Sequence, residues 1–479
     1  MGARSGESYK QRLREKPPEI WHRGKRIDDV TVEPGFANGV NSYAALFDHR
    51  LKHPDVNLFA SPDTGEPVHL SFLTPRSQAE VETVGNALQF SADFSCGMFG
   101  RDPSYLNRSL VSYATAASWL GEADARFADN IRAYFTYMRD NDLALTHTLI
   151  NPQANRSKPV FDQHEKLGAH VTKETDAGIH ITGARMLATM PISDEIMVFP
   201  STLLQEGSEA APYAFAFCIP NATPGLKFLC RDSFDLGRSH YDAPLASRFE
   251  EMDAVVLFDD VFVPWERVFL YQDVTRCNQS MIRTTAVVNM AHQVVCKNIA
   301  KAEFVLGLAS LMVDAIGAHP FQHIHEKISE LWVTLETMKA FRRAAEADAA
   351  PNEFGMVIPA WDPLDAARNL FPKLYPRMVE IIQQIGASGL ASMPSEADVN
   401  GPLAEEIKRY YATGRMDAME RIPLFRLATD LAVSAFGARQ VLYERFFFGD
   451  PVRMAGAVFN NKDRSRAEER VRELLRRPD

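Results

Sequence analysis

The chain has 479 residues, 46% of them hydrophobic and 24% charged, with a formal net charge of −10. This is ordinary globular composition with material for a large core, and the length fits about two to four domains. The acidic balance excludes a basic footprint for nucleic acid or an anionic membrane surface. Five cysteines, Cys96, Cys218, Cys230, Cys277 and Cys296, form no CxxC pair. Their odd number in so long a chain points to a reducing, cytoplasmic setting rather than to disulfide staples. The polar N-terminus has no apolar core of a signal peptide, and no run approaches 18 apolar residues, so no membrane span is expected.

Residues 1–143 read as a mostly helical domain. Ser77-Gln78-Ala79-Glu80 has the Ser-x-x-Glu capping pattern, followed by Val81, Val84, Leu88 and Phe90 at helical spacing. A second helical stretch, rich in alanine and aromatics, covers 114–145. From about 144 the period changes. AHVTKETDAGIHIT, residues 169–182, alternates on either side of Asp176-Ala177-Gly178, as two strands joined by a tight turn do. Short runs at 196–199, 213–219, 226–230 and 254–263 follow, punctuated by Pro, Gly, Asn and Asp. This predicts a central domain over 144–271 built as a small β-barrel or sandwich.

Beyond 272 the helical period returns. Ile324, Ile328, Leu331, Leu335 and Met338 step by four and three along one apolar seam. Further helices are predicted over 301–316, 372–385 and 424–448, which together make a four-helix bundle over 272–479. The last twenty or so residues, dense in Arg and Glu, are expected to form a solvated helix or tail. The fold class is therefore α+β, mostly α, in the order helical, β, helical.

Several chemistries lack their motifs. There is no GxGxxG after a strand, no GxxxxGK[ST] and no GxSxG. His319, His323 and His325 in HPFQHIH have no carboxylate or cysteine at ligand spacing, so no metal is expected there. Asp259-Asp260 reads as a polar strand end before a proline turn. Two segments carry more promise. Gly97-Met98-Phe99-Gly100-Arg101-Asp102-Pro103-Ser104-Tyr105 opens a helix with Pro103 in its first turn, and Arg101 and Tyr105, four apart, would share a face if both were helical. Residues 146–156, THTLINPQANR, lie at the junction of the helical and β regions and are rich in groups that hydrogen-bond a heteroaromatic ring or a phosphate.

The stretches GMFGRDPSYLN, LTHTLINPQANR, FPSTLL, ASRFEEMDAVVLFDDVFVPWERVF, NMAHQVV, IGASGL and FGARQVLYERFFFGDPVRM resemble the large-subunit family of 4-hydroxyphenylacetate 3-hydroxylases, from about residue 8 to about residue 455. The resemblance implies the acyl-CoA dehydrogenase fold: an N-terminal helical domain, a central β-barrel domain and a C-terminal four-helix bundle. It also implies an oxygenase that takes FADH2 from a separate flavin reductase, reacts it with O2, and hydroxylates a phenol or hydroxylated heteroaromatic ring through a flavin C4a-hydroperoxide. A two-component arrangement accounts for a flavin enzyme with no nicotinamide motif.

By resemblance, Arg101, Tyr105 and His147 are the catalytic trio at the substrate hydroxyl. His147 suits the role of base or acceptor, and Arg101 that of the charge stabilising a phenolate. The matching cofactor residues are His147, Thr148, Leu149, Gln153, Ala154, Asn155 and Arg156, with Arg156 suited to the pyrophosphate, together with Thr189 and the turn of Gly449, Asp450, Pro451 and Arg453. Ser201 and Thr202 match positions that hold the distal polar group of the substrate. Residues 157–166 and 205–212 depart from the family pattern and leave the particular aromatic substrate open. Family members assemble as dimers or dimers of dimers, including homotetramers. A dehydratase of the 4-hydroxybutyryl-CoA type shares the fold but needs an iron–sulfur cluster. Here Cys96 is followed four residues later by Gly100, and His292 by Cys296 alone. A non-catalytic flavin-binding protein would not need the trio.

Overall fold

Helices begin where the sequence supplies a cap, and the computed structural model, which describes residues 2–477 apart from 153, 156, 164, 201–203, 206 and 236, shows this at the first predicted start. Ser77 accepts a hydrogen bond from the Glu80 N–H at 3.2 Å and opens the Gln78–Phe94 helix, satisfying one of the amides that a helix start leaves bare. Glu80 departs from the expected box, because its carboxylate reaches past Ser77 to the Arg76 N–H. The helical stretch predicted over 114–145 is divided among Pro103–Thr115, Ala117–Leu120 and Ala125–Asp140. Asp124 restarts the chain by accepting from the Arg126 N–H at 2.9 Å.

The strands form two principal sheets. The larger runs in the order Lys25–Ile27, Glu19–His22, Leu226–Cys230, Asp253–Pro264, Gly178–Thr189, His170–Thr175, and the smaller in the order Val268–Tyr271, Phe215–Pro220, Glu195–Val198, Leu145–Thr148. The predicted hairpin is present: Thr175 stands opposite Gly178, leaving Asp176 and Ala177 as the turn. The sheets meet where Ile150 bridges Met186 and where Phe217 packs edge-on against Phe258 at 6.3 Å. Glu19–His22 pairs in parallel with Leu226–Cys230, so the N-terminal region, expected to be mostly helical, also supplies two strands to the larger sheet. These strands have four and three residues, too few to carry a periodic signal.

The C-terminal region is helical. The Ala286–Ile316, Gln322–Ala347 and Trp361–Gly386 helices pack on one another, with Ala418–Ala432 and Ala435–Phe446 against them. The pattern placed the first of these only from residue 301. Every residue from 288 to 302 is buried, and a helix enclosed on all sides has no amphipathic stripe to read. The single helix expected over 424–448 is broken at Ser434, which accepts from the Gly437 N–H at 3.1 Å and caps a new start. Trp361–Gly386 begins well before the expected 372 and holds Pro372 and Pro376 inside it. The last helix, Ser465–Leu475, buries no residue.

One ridge of the Ala286–Ile316 helix positions the rest. Asn289, Gln293, Lys297 and Lys301 recur every four residues and so share a face. All four are buried, and each therefore needs a partner. Asn289 bonds Arg108 and Ser112, both at 2.8 Å, and Gln293 donates to Asp102 at 3.1 Å. Lys297 donates to the two Glu444 oxygens at 2.6 and 2.7 Å. Lys301 donates to Gln440 at 2.8 Å and to Glu444 at 2.5 Å. The ridge thus fixes the Pro103–Thr115 helix and the Ala435–Phe446 helix to one scaffold. Two lysines share one carboxylate. Burial pushes Lys297 down to about 7 against the pull of Glu444. Burial alone would raise Glu444, but Lys297 and Lys301 outweigh it and hold the carboxyl below its ordinary value.

Glu444→Gln leaves both lysines without a counter-charge and should lower stability by about 3 kcal/mol or more at neutral pH, measured by urea unfolding. The variant folds with neutral lysines, whereas its unfolded chain keeps their protons up to about pH 10.4. Folded wild type still holds part of these protons, with Lys297 near 7, while both unfolded chains hold the same number, so the deficit should shrink as pH rises through 7 and above.

Candidate active site

Two glycines aim the first site residue. Gly97 has φ +69°, and a Cβ there would meet the Lys297 carbonyl at 2.5 Å, so only glycine lets the chain turn against the polar ridge. At Gly100 a Cβ would overlap the Tyr443 hydroxyl. Asp102 then accepts from the Ser104 N–H at 2.7 Å and caps the helix, with Pro103 in its first turn. Arg101 consequently precedes the helix and does not share a helical face with Tyr105. Its guanidinium instead folds back over the Tyr105 ring, 4.3 Å from the centroid, a cation–π geometry.

His147 enters from the Leu145–Thr148 strand, which pairs in parallel with Glu195–Val198. Its ring lies 5.9 Å from Tyr105 and 5.4 Å, edge-on, from Phe199. The structure therefore brings Arg101, Tyr105 and His147 together. His147 Nδ1 and Arg101 Nε are both enclosed, with no hydrogen-bond partner among the described residues. Burial, and after it the charge of Arg101, hold the imidazole well below its ordinary value of 6.5, so it is neutral at pH 7. Burial raises Tyr105 against the opposing pull of Arg101, which keeps it a phenol.

Arg101 is held from behind. Its Nη1 donates to the Tyr443 hydroxyl at 2.7 Å, its backbone N–H donates to Glu251 at 2.7 Å, and Phe447 lies 5.2 Å away. Glu251 also accepts from Arg439 at 3.0 Å, Arg439 donates to Asp253 at 2.8 Å, and Asp253 accepts from the Thr189 hydroxyl at 2.8 Å. A continuous chain of buried polar groups thus joins Thr189 to Arg101. Burial alone would raise Asp253, but Arg439 and Arg231 hold it well below the carboxylate range. The carboxylates of this chain meet Arg439 and Arg231. Among the described residues none forms an ion pair with the Arg101 guanidinium, whose charge stays available to a ligand.

The other predicted residues are more scattered. The Thr148 hydroxyl donates to the Met186 carbonyl at 2.8 Å, and the Leu149 carbonyl accepts from Arg185 at 2.6 Å. Ala154 and Asn155 are exposed, and Asn155 closes a local turn by accepting from the Ser157 N–H at 3.0 Å. Asp450 caps the Pro451–Asn461 helix by accepting from the Val452 and Arg453 N–H groups, each at 3.0 Å. Arg453 is exposed, and Gly449 lines a cleft with Arg368, Phe371 and Phe447. Gln153, Arg156, Ser201 and Thr202 lie outside the described residues. Sequence reasoning missed Tyr443, Phe447, Glu251 and Arg439. They stand in the motifs FGARQVLYERFFFGD and ASRFEEMD, but no spacing rule links positions 150 and 342 residues away to Arg101.

Four of the residues weighed for metal or acid–base work, His319, His325, Asp259 and Asp260, are otherwise engaged. His319 pairs with Asp314 at 2.5 Å and His325 with the His319 carbonyl at 2.6 Å. Asp259 pairs with Lys227 at 2.7 Å and Asp260 with His180 at 3.0 Å. Among the described residues no group of three or more His, Cys, Asp or Glu could hold a metal ion.

The sequence pattern of the 4-hydroxyphenylacetate 3-hydroxylase N-terminal region matches residues 5–270, and that of its C-terminal region matches residues 277–476. The chain belongs to the 4-hydroxyphenylacetate 3-hydroxylase family. It is similar to the 4-hydroxyphenylacetate 3-monooxygenase oxygenase component of Thermus thermophilus, with 46% identity over 99% of this chain and 98% of that one. It is also similar to the 4-nitrophenol 2-monooxygenase oxygenase component of a Rhodococcus species, with 31% identity over 93% of this chain and 86% of that one. The crystal structure of a 4-hydroxyphenylacetate 3-monooxygenase oxygenase component complexed with FAD and 4-hydroxyphenylacetate matches with a TM-score of 0.95 and 46% identity, covering 99% of this chain and 98% of the other. As a member of this family the chain is an oxygenase component, a flavin-dependent aromatic monooxygenase that uses FAD and O2.

The site fits that chemistry. Orphaned nitrogens on a neutral histidine and a cation both lie near the Tyr105 ring, where a phenol oxygen could meet them, and Thr189 keeps acceptor lone pairs free after its donation to Asp253. If His147 is neutral for the reason given, nitrogen NMR of the labelled imidazole in the ligand-free protein should show a single neutral tautomer at pH 7. Its titration should begin only well below pH 6.5. A midpoint at or above 6.5 contradicts the enclosed site.

Proposed function

We propose that the chain hydroxylates a phenol, or a hydroxylated heteroaromatic ring, ortho to its hydroxyl group, with the ring oxygen held by Arg101, Tyr105 and His147. The observation that carries this reading is the enclosed Nδ1 of a neutral His147, without a hydrogen-bond partner among the described residues, beside an Arg101 guanidinium that forms no ion pair with any of them. Reduced flavin, when bound, reduces O2 and supplies an electrophilic oxygen. The protein's task is to make the ring electron-rich and to keep water away. His147 accepts the phenolic proton or a strong hydrogen bond from it. Arg101 stabilises the negative charge that develops on the oxygen. Tyr105 supports the guanidinium from its ring face and completes the hydrogen-bond set.

In this reading Thr148, Leu149, Gln153, Ala154, Asn155, Arg156, Thr189, Gly449, Asp450, Pro451 and Arg453 contact the cofactor, and Ser201 and Thr202 the distal group of the substrate. The link from Thr189 to Arg101 supports it, since one buried chain would then register cofactor and substrate against each other. The Thermus relative is named for 4-hydroxyphenylacetate and the Rhodococcus relative for 4-nitrophenol, so para-substituted phenols are the first substrates to test. FADH2 comes from a separate NAD(P)H:flavin reductase, in keeping with the description of the relatives as oxygenase components. The helical, β and helical regions, at about 1–143, 144–271 and 272–479, form the layout of the acyl-CoA dehydrogenase fold. The chain assembles as a dimer or dimer of dimers in the cytoplasm. Exposed Trp332, Val333, Val452, Phe459 and Leu475 on the C-terminal helices support self-association. Sedimentation equilibrium should give a mass of two or four chains, and a monomer overturns that part.

The chemical test mixes the anaerobic protein and FADH2 with oxygenated buffer and follows near-ultraviolet absorbance. A long-lived transient should form and should decay faster when 4-hydroxyphenylacetate or another phenol is added. Immediate oxidation to free FAD, unaffected by any phenol, overturns the proposal. In His147→Ala the transient should still form, but H2O2 should replace most of the hydroxylated product. Hydroxylation at normal yield removes His147 from its role.

A further inference from the structure

We infer that Tyr443 is the positioning residue for the reaction: it sets the direction of the Arg101 guanidinium through its hydroxyl and so couples the C-terminal helices to the phenol site. The inference rests on the assignment of Arg101 to the phenolic oxygen. A guanidinium has donors only, so at 2.7 Å the Tyr443 oxygen accepts from Arg101 Nη1. Tyr443 is buried, and this is the one hydrogen bond of its side chain among the described residues. Packing alone would be served as well by phenylalanine.

The hydroxyl is admitted only because residue 100 is glycine, whose Cβ would occupy the same space. One contact therefore accounts for the identity of two residues far apart in sequence. The tyrosine ring is itself immobilised. It stacks on Phe447 with centroids 4.4 Å apart and planes 5° apart, and it carries Arg439 at 4.7 Å and Lys297 at 5.2 Å on its faces. The neighbouring Glu444 is anchored to Lys297 and Lys301, which fixes the helix that bears the ring. On the other side Glu251 holds the Arg101 backbone N–H. With the main chain held at one end and Nη1 at the other, the guanidinium fork has one plane left to it, stacked over Tyr105. A guanidinium free to rotate would lose this geometry before any contact with the ligand was removed.

The test compares wild type, Tyr443→Phe and Arg101→Ala. Equilibrium binding of 4-hydroxyphenylacetate to the flavin-free protein and the yield of hydroxylated product per FADH2 are measured, with thermal unfolding as a check on the fold. Tyr443→Phe keeps the ring and its stack. It should unfold near the wild-type temperature, weaken phenol binding about tenfold, as expected for one charge-assisted hydrogen bond, and divert FADH2 to H2O2. Gly100→Ala, which displaces the hydroxyl while retaining it, should act in the same direction and carries the test if Tyr443→Phe does not fold. If Tyr443→Phe or Gly100→Ala binds and couples as wild type does while Arg101→Ala fails, the inference is wrong and the trio stands. If Arg101→Ala also matches wild type, the assignment of the trio falls and this inference falls with it.

Discussion

Asn289, Gln293, Lys297 and Lys301 stand in a row inside the protein, where water cannot satisfy them. A buried ammonium or amide without a partner costs several kilocalories per mole, so the partners cannot be optional. They come from the turn and helix around Asp102 and from the Ala435–Phe446 helix, which carries Glu444. Those two elements carry Arg101, Tyr105 and Tyr443. The polar ridge is therefore the reference frame of the site. It places two chain segments more than 300 residues apart against one helix, with the Arg101 guanidinium between them.

A second buried network works across the first. Glu251 and Asp253, at the start of the Asp253–Pro264 strand, bind Arg439 from the helix that bears Tyr443, and Asp253 also takes the Thr189 hydroxyl. The β region and the C-terminal helices thus reach Arg101 by separate routes, one through its backbone and one through its side chain. Glu251 and Asp253 pair with Arg439 and Arg231, and among the described residues none forms an ion pair with the Arg101 guanidinium. A charge in such an enclosed site is worth more to an anionic ligand than the same charge would be in water. The charge of Arg101, added to burial, keeps His147 neutral and able to accept a proton.

The legible parts of the fold were those governed by local rules. The Ser77 cap, the Asp176-Ala177 turn, the alternating strands and the apolar seam from Ile324 to Met338 each depend on residues within a few positions of one another. The illegible parts depend on distant partners. Glu19–His22 is a strand because Leu226–Cys230 lies beside it. Residues 288–302 have no stripe because protein surrounds them. At the site, Arg101, Tyr105 and His147 were identified through the long motifs that resemble a known family, and not by any spacing rule that joins residue 101 to residue 147.

By itself the sequence determined the family, the candidate trio, the absence of a nicotinamide or triphosphate motif, and the succession of helical and β segments, since each is written in contiguous residues. Only the tertiary structure decided that Arg101 stands before its helix and folds back over Tyr105, that Tyr443 and Glu251 hold it, and that Thr189 is wired to it through Asp253 and Arg439. These facts depend on which groups burial forces to find partners, and the partners belong to segments that meet only once the core has closed.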